Sequence, residues 1–177
     1  MTKWNVTPLI VTVSILTGLP PVAQATENCN IRVTATTPDS RFTVNADGTV
    51  TDKATGLMWK QCSEGLSGAD CTTGTLEKVE WPDALRLAET LNNNSGFAGY
   101  TDWRLPNVNE LNSIVELQCA KPAINATVFP ATDFDEYWSA SQAGGFSAWV
   151  VSFFHGYVST PTTQRVLNSV RLVRGGQ

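Results

Sequence analysis

Two runs in this sequence place ligand-binding types of side chain close together. The first is Asp102-Trp103-Arg104, with Asn107 and Glu110 just after it. A carboxylate and a guanidinium flanking an indole could hold a polar ligand. The stronger expectation is structural. Arg104 forms a bidentate pair with Glu110 or Asp102 and pins the loop to a helix that begins after Pro106, while Trp103 joins Trp59 and Trp81 in the core. The second run is aromatic. Trp138 and Trp149 fall in strand-like segments, and alternation puts Trp149 and Val151 on one side of their strand, Val150 and Ser152 on the other. An indole on a solvent face is a platform for a sugar ring, whose C–H groups pack on it. With His155 and Tyr157 in the adjoining turn, beside Phe154, the candidate ligand surface is Trp149, His155, Tyr157 and Trp138. Core packing is the competing expectation for each indole, and simple exposure for His155.

Other reactive groups read as architecture. Asp133, Asp135 and Glu136 form a solvated acidic loop. Asp47 and Asp52 sit at turn positions, and a calcium loop needs more oxygen ligands at fixed spacing. No nucleophile elbow, zinc motif or phosphate loop occurs, so no catalytic residue, metal ligand or cofactor is assigned. A carboxylate pair for glycoside hydrolysis depends on a separation in space that sequence spacing does not reveal.

Met1 to Ala25 has the form of a secretory signal: Lys3, an apolar or small stretch from Val6 to Leu19, and the cleavage motif Ala23-Gln24-Ala25. The apolar run is shorter than the ~20 residues that span a bilayer, so no membrane anchor is expected after cleavage. The exported destination is periplasm, cell surface or medium. All four cysteines follow the signal, and an even count in an exported chain favours disulfides. Cys62 and Cys71 flank a short Gly/Ser-rich stretch and should pair locally, leaving Cys29 with Cys119. Chain entropy assigns about 3 kcal/mol to the small loop and about 4.6 to the large one.

The chain has 177 residues, with 12 Lys+Arg against 16 Asp+Glu and one His, a formal net charge of −4. Loss of Lys3 with the signal leaves 11 basic side chains against 16 acidic ones. That balance argues against a nucleic-acid partner, which requires a basic stripe. Six tryptophans and 42% hydrophobic residues mark a globular chain.

These residues must be positioned by a small set of elements. Residues 26–40 read as an extended leader and 41–177 as one domain. Phe42-Thr43-Val44 and Thr49-Val50-Thr51 flank a turn, Asn45-Ala46-Asp47-Gly48, and a second turn leads to Leu57-Met58-Trp59. Trp81, Ala84, Leu85, Ala88 and Leu91 recur at helical spacing, predicting a helix over 80–92. Asn107 and Glu110 make a capping-box pair for a second helix ending near Gln118. Strands follow over Tyr137–Ser141, Ala148–Phe154, Tyr157–Ser159 and Ser169–Arg174. Strands, then two helices, then strands predict an α+β fold with antiparallel sheets.

Several segments, in order, also resemble one family. They are Phe42 to Asp52, Ala54 to Trp59, Gly99-Tyr100-Thr101-Asp102-Trp103-Arg104-Leu105-Pro106-Asn107 with Glu110-Leu111, Phe129-Pro130, Tyr137 to Ser141, Ala148 to Val151 and Val170 to Arg174. The pattern is similar to the Lcl C-terminal domain family, over about residues 40 to 174. The resemblance implies a C-type-lectin-like, loop-rich fold related to the formylglycine-generating enzyme core. In it the first and last strands pair and two helices pack on the sheet. It also implies binding of sulfated glycans and trimerisation. Two departures bear on this. No collagen-like Gly-X-Y region is present, and the negative charge disfavours heparin-like ligands. Leu105-Pro106-Asn107 lacks the acidic or amide ligand of the calcium-dependent lectin motif, and the cysteines sit elsewhere than the copper-binding pair of the formylglycine enzymes.

The function expected is therefore an exported, non-catalytic binding module with adhesin-like recognition of a glycan or a surface protein. An enzyme on the same scaffold, either carbohydrate-active or a formylglycine-like oxidase, is the alternative from another class. A structural accessory subunit of a surface assembly is the third.

Overall fold

A computed structural model describes residues 28–175. The expected signal peptide, Met1–Ala25, lies outside the described residues. The described chain runs β1 (Asn28–Cys29), β2 (Phe42–Val44), β3 (Thr49–Asp52), β4 (Met58–Lys60), β5 (Leu66–Ser67), β6 (Thr73–Gly74), β7 (Lys78–Val79), α1 (Trp81–Asn93) and α2 (Val108–Asn112). It continues with β8 (Cys119–Ala120), β9 (Glu136–Gln142), β10 (Ser147–Ser152), β11 (Tyr157–Thr163), β12 (Asn168–Ser169) and β13 (Val173–Arg174). The class is α+β, with sheets that are mostly antiparallel.

The β2–β3 hairpin forms where the turn residues demand it. Asn45 N–H donates to Thr49 O at 2.8 Å, and Gly48 takes the left-handed φ of 81°. Asp47 acts locally, its carboxylate accepting from the Thr49 N–H and hydroxyl. Asp52 does more than turn the chain: it receives Arg41 and holds the Ala54 N–H and Thr55 hydroxyl. This hairpin belongs to a four-stranded sheet ordered β13-β4-β3-β2, and the larger sheet is ordered β11-β10-β9-β12-β7.

The middle of the larger sheet, Tyr137–Ser139 and Val150–Ser152, is covered on both faces, so these stretches do not alternate buried with exposed. Tyr137 and Val151, register partners, point into a cluster with Phe42, Trp59, Leu111, Ile114 and Phe129. Their neighbours Trp138 and Val150, also partners, point into a second cluster with Ala84, Ala88, Trp103 and Leu105. Ala84 and Ala88 are the small residues that let α1 lie close to this second cluster.

Five expectations need correction. Trp138 is fully buried and its indole N–H donates to Val79 O, so it cannot be a ligand platform. Trp81 is only half-buried, with its indole N–H on Ser139 O. The second helix stops at Asn112, not near Gln118, because Val115 leaves it to bridge Ile124 and Glu116 N–H donates to Ala123 O. The terminal strand is two strands in two sheets: β12 lies between β9 and β7, and β13 lies on β4. The first and last strands therefore do not pair with each other. β1 pairs with β8, while β13 pairs with β4.

Arg171 makes the crossing between the two sheets. It is fully buried, donating to Lys60 O and Gln61 O through one terminal nitrogen and to Ser63 Oγ and Thr132 Oγ1 through the other. Its guanidinium stands 5.0 Å from the Phe129 ring centroid. No carboxylate is hydrogen-bonded to it among the described residues, and burial pulls its proton affinity down. Both expected disulfides, Cys29–Cys119 and Cys62–Cys71, are present, so all four cysteines are bridged. Among the described residues no helix is long and apolar enough to cross a membrane.

Candidate functional site

Helix α1 begins with Pro82 in its first turn, where a missing N–H costs nothing. It ends where Gly96 N–H returns to Leu91 O, and Gly96 holds φ 71° against Tyr100 O, leaving no room for a side chain. The chain then doubles back along the helix. Asn92 clamps the returning segment by donating to Trp103 O at 2.7 Å and accepting from Trp103 N–H at 3.0 Å. The Trp103 indole turns inward, donating to Phe97 O and meeting the Phe97 ring edge-on.

Between helix and returning segment lies an open groove of about 860 Å³. One wall is α1, with Leu85, Glu89, Asn92 and Asn93. The other is Trp103, Arg104 and Leu105, closed by Asn107 and Glu110 at the start of α2. Ala140 of β9 lies at its floor, held there because its N–H donates to Pro106 O at 2.7 Å.

The second wall is rigid. Glu110 receives both terminal nitrogens of Arg104, at 2.8 and 2.7 Å, and also the Asn107 N–H at 2.8 Å. Asn107 Oδ1 in turn accepts from Glu110 N–H, completing the capping box. Arg104 further donates to Gly175 O. Burial pushes the Glu110 carboxyl up, but Arg104 and the Asn107 N–H outweigh it, and the group titrates below the ordinary glutamate value. Arg104 is held correspondingly higher, chiefly by its bonds to Glu110.

Of the two partners open to Arg104, the structure takes Glu110. Asp102 pairs with Arg174 at 2.7 and 3.1 Å, and the Arg174 guanidinium lies 3.8 Å from the Tyr100 ring centroid. Asp102, Trp103 and Arg104 thus point to three different places and do not converge on one ligand.

The aromatic candidates divide. His155 is exposed at the β10–β11 tip with its ring 4.4 Å from that of Phe154, and Tyr157 beside it is 52% exposed. Phe134 and Lys121 flank the same Phe154 ring. Trp149 is half-buried and lies three residues back from the end of β10, about 10 Å away at ~3.3 Å per residue. His155 and Tyr157 are thus both exposed at the hairpin tip, two residues apart, Trp149 lies further along the strand, and none of these aromatic candidates lines the groove.

Sequence reasoning missed Glu89, Asn92 and Leu105 as site residues. The available signal was the stripe Leu85, Glu89, Asn93 at four-residue spacing on one helix face. Nothing in the linear order says that residues 103–105 run beside it. The acidic residues before Trp138 are engaged: Lys78 pairs with Asp133 and Asp135, which hold its pKa up at about 12. Glu136 accepts from the Ser159 hydroxyl. Among the described residues no group of three or more His, Cys, Asp or Glu is placed to hold a metal ion.

Against known proteins, one family description matches: that of the Lcl C-terminal domain, over residues 48–174. The match covers the groove, the Cys62–Cys71 bridge and the crossing at Arg171, and Cys29 of the long bridge lies before it. No curated protein matches the chain.

Proposed function

The chain belongs to the Lcl C-terminal domain family, and on that premise we propose that it is an exported binding module that recognises a glycan in the groove between α1 and the 103–107 segment. The family suggests an adhesin-like role and is not a known enzyme family, which supports the reading. The observation that carries the reading is the groove itself, whose walls mix leucines with amides and carboxylates. Sugars present the same mixture, C–H faces edged by hydroxyls, and sites that are largely preformed bind with less ordering cost. We read the α+β architecture as C-type-lectin-like on the same grounds. Two disulfides support export, as does the signal-like run Met1–Ala25. With every cysteine sulfur in a bridge, a formylglycine-like chemistry has no thiol to use here.

A second reading, recognition of a surface protein, is favoured by the hairpin tip. There Phe134 at 52% and Tyr157 at 52% exposure stand with His155, and Leu117 at 61% lies beside Gly156.

A glycan array on the mature chain, repeated with Leu85→Trp and with His155→Ala/Tyr157→Ala, separates the two. The groove reading expects sugar binding that Leu85→Trp abolishes and the tip variant keeps. Sugar binding that survives Leu85→Trp would sink it. Binding of cell-surface protein lost only in the tip variant would favour the second reading.

A further inference from the structure

The charges lining the groove are unequal in what they can offer a ligand. Arg104 is the only cation in the lining. Both its terminal nitrogens are engaged, by the two Glu110 oxygens, by Gly175 O and by Leu105 O. Its charge is neutralised and its fork is turned away from incoming anions. Glu110 is equally occupied. Glu89 is different: it is exposed on α1 and has no ion-pair or hydrogen-bond partner among the described residues. It stands between Leu85 and Asn93 on the same helix stripe, in the groove lining with them. The lining thus presents one uncompensated carboxylate, beside an amide and apolar carbon, on a chain whose net charge is already −4.

We propose that the groove selects hydroxyl-rich sugars carrying a free, protonated amine, with Glu89 as the residue that sets this preference. A sulfate or carboxylate on the sugar meets an unpaired anion and finds no available cation. An N-acetylated sugar satisfies the amide and the apolar wall but leaves Glu89 without a partner. An ammonium group supplies a charge-assisted hydrogen bond to Glu89. The inference rests on the groove being the glycan site.

Calorimetric and NMR titrations of the mature chain test it, using a glucosamine oligomer, its N-acetylated counterpart and a heparin-derived oligosaccharide at neutral pH and low salt. The amine oligomer should bind roughly 1.5- to fivefold more tightly than the acetylated one, the range for one exposed charge pair. The advantage should shrink as salt is added and vanish in Glu89→Gln, while Asp70→Asn, in the distant Cys62–Cys71 loop, leaves it intact. Equal binding of the two oligomers, an unchanged preference in Glu89→Gln, or tightest binding of the sulfated sugar would overturn the proposal while leaving the groove a glycan site. If no oligomer moves the groove amides, the functional reading falls with it.

Discussion

Glu116 has no counterpart in any motif, yet it is among the most heavily bonded side chains described. Its carboxylate accepts from Thr36 N–H and hydroxyl, Thr37 N–H and hydroxyl, and Gln118 N–H, at 2.7 to 3.1 Å. It fastens the leader to the turn that follows α2. Burial pushes the carboxyl up, but the main-chain donors of Thr36, Gln118 and Thr37 outweigh it, and its pKa lies below the ordinary glutamate value. A carboxyl depressed in the folded state contributes stability that is complete above its unfolded pKa and is lost as pH falls through the folded one. Glu116→Gln should therefore cost about 2 kcal/mol at neutral pH, the scale of hydrogen bonds to a charged group, and flatten the acid side of the stability curve. Urea melts of both proteins from neutral pH downward check this. A difference between them that does not narrow with acid would refute the assignment. The contrast with Arg104 is instructive. There the capping pattern Asn107/Glu110 announced a partner, whereas four of the five donors to Glu116 belong to Thr36 and Thr37, about 80 residues earlier in the chain.

At the scale of elements, α1 is set by its two buried alanines. Ala84 and Ala88 are 0% and 6% exposed against a cluster containing Trp103 and Trp138. Any larger side chain at Ala88 must push the helix outward or force its neighbours off their rotamers. Ala88→Leu is expected to cost about 1–3 kcal/mol by overpacking, against a near-zero or favourable change for the same substitution at an exposed helix site. Because Ala88 also lines the groove, the variant should weaken sugar binding even where it stays folded. A stable Ala88→Leu protein with unaltered groove resonances would contradict this packing. The helical spacing of Trp81, Ala84, Leu85, Ala88 and Leu91 was enough to predict α1. α2 was announced by its cap but overrun at its end, because Leu111, Ile114 and Val115 continue an apolar pattern that the chain satisfies after leaving the helix.

For the whole molecule, the two bridges divide the work of cross-linking unequally. Cys29 and Cys119 are separated by 90 residues, Cys62 and Cys71 by 9. Chain entropy therefore predicts that Cys29→Ser/Cys119→Ser loses about 4.6 kcal/mol and Cys62→Ser/Cys71→Ser about 3. Denaturant midpoints of the two double variants, compared with the parent, test the order. Equal losses, or a larger loss at the short loop, would show that local strain or residual unfolded structure outweighs loop length. The long bridge and the Glu116 cluster hold the same leader, so their effects should not be additive.

Local patterns carry local outcomes. The β2–β3 turn, the Asn107/Glu110 cap, the helical stripe of α1 and the short disulfide all follow from residues within about a turn of one another, where propensity and hydrogen bonding act without help. The family likeness was legible for the same reason, since it lies in short runs such as Gly99 to Asn107. What required the folded chain was every pairing across distance. Both faces of the middle of the large sheet are covered, which buries Trp138 instead of offering it to a ligand. The last strand splits between sheets around Arg171, and residues 103–105 come to lie beside Glu89. These arrangements are settled by how apolar area and buried hydrogen-bonding groups are shared among all the elements together, and the order of residues along the chain does not display that sharing.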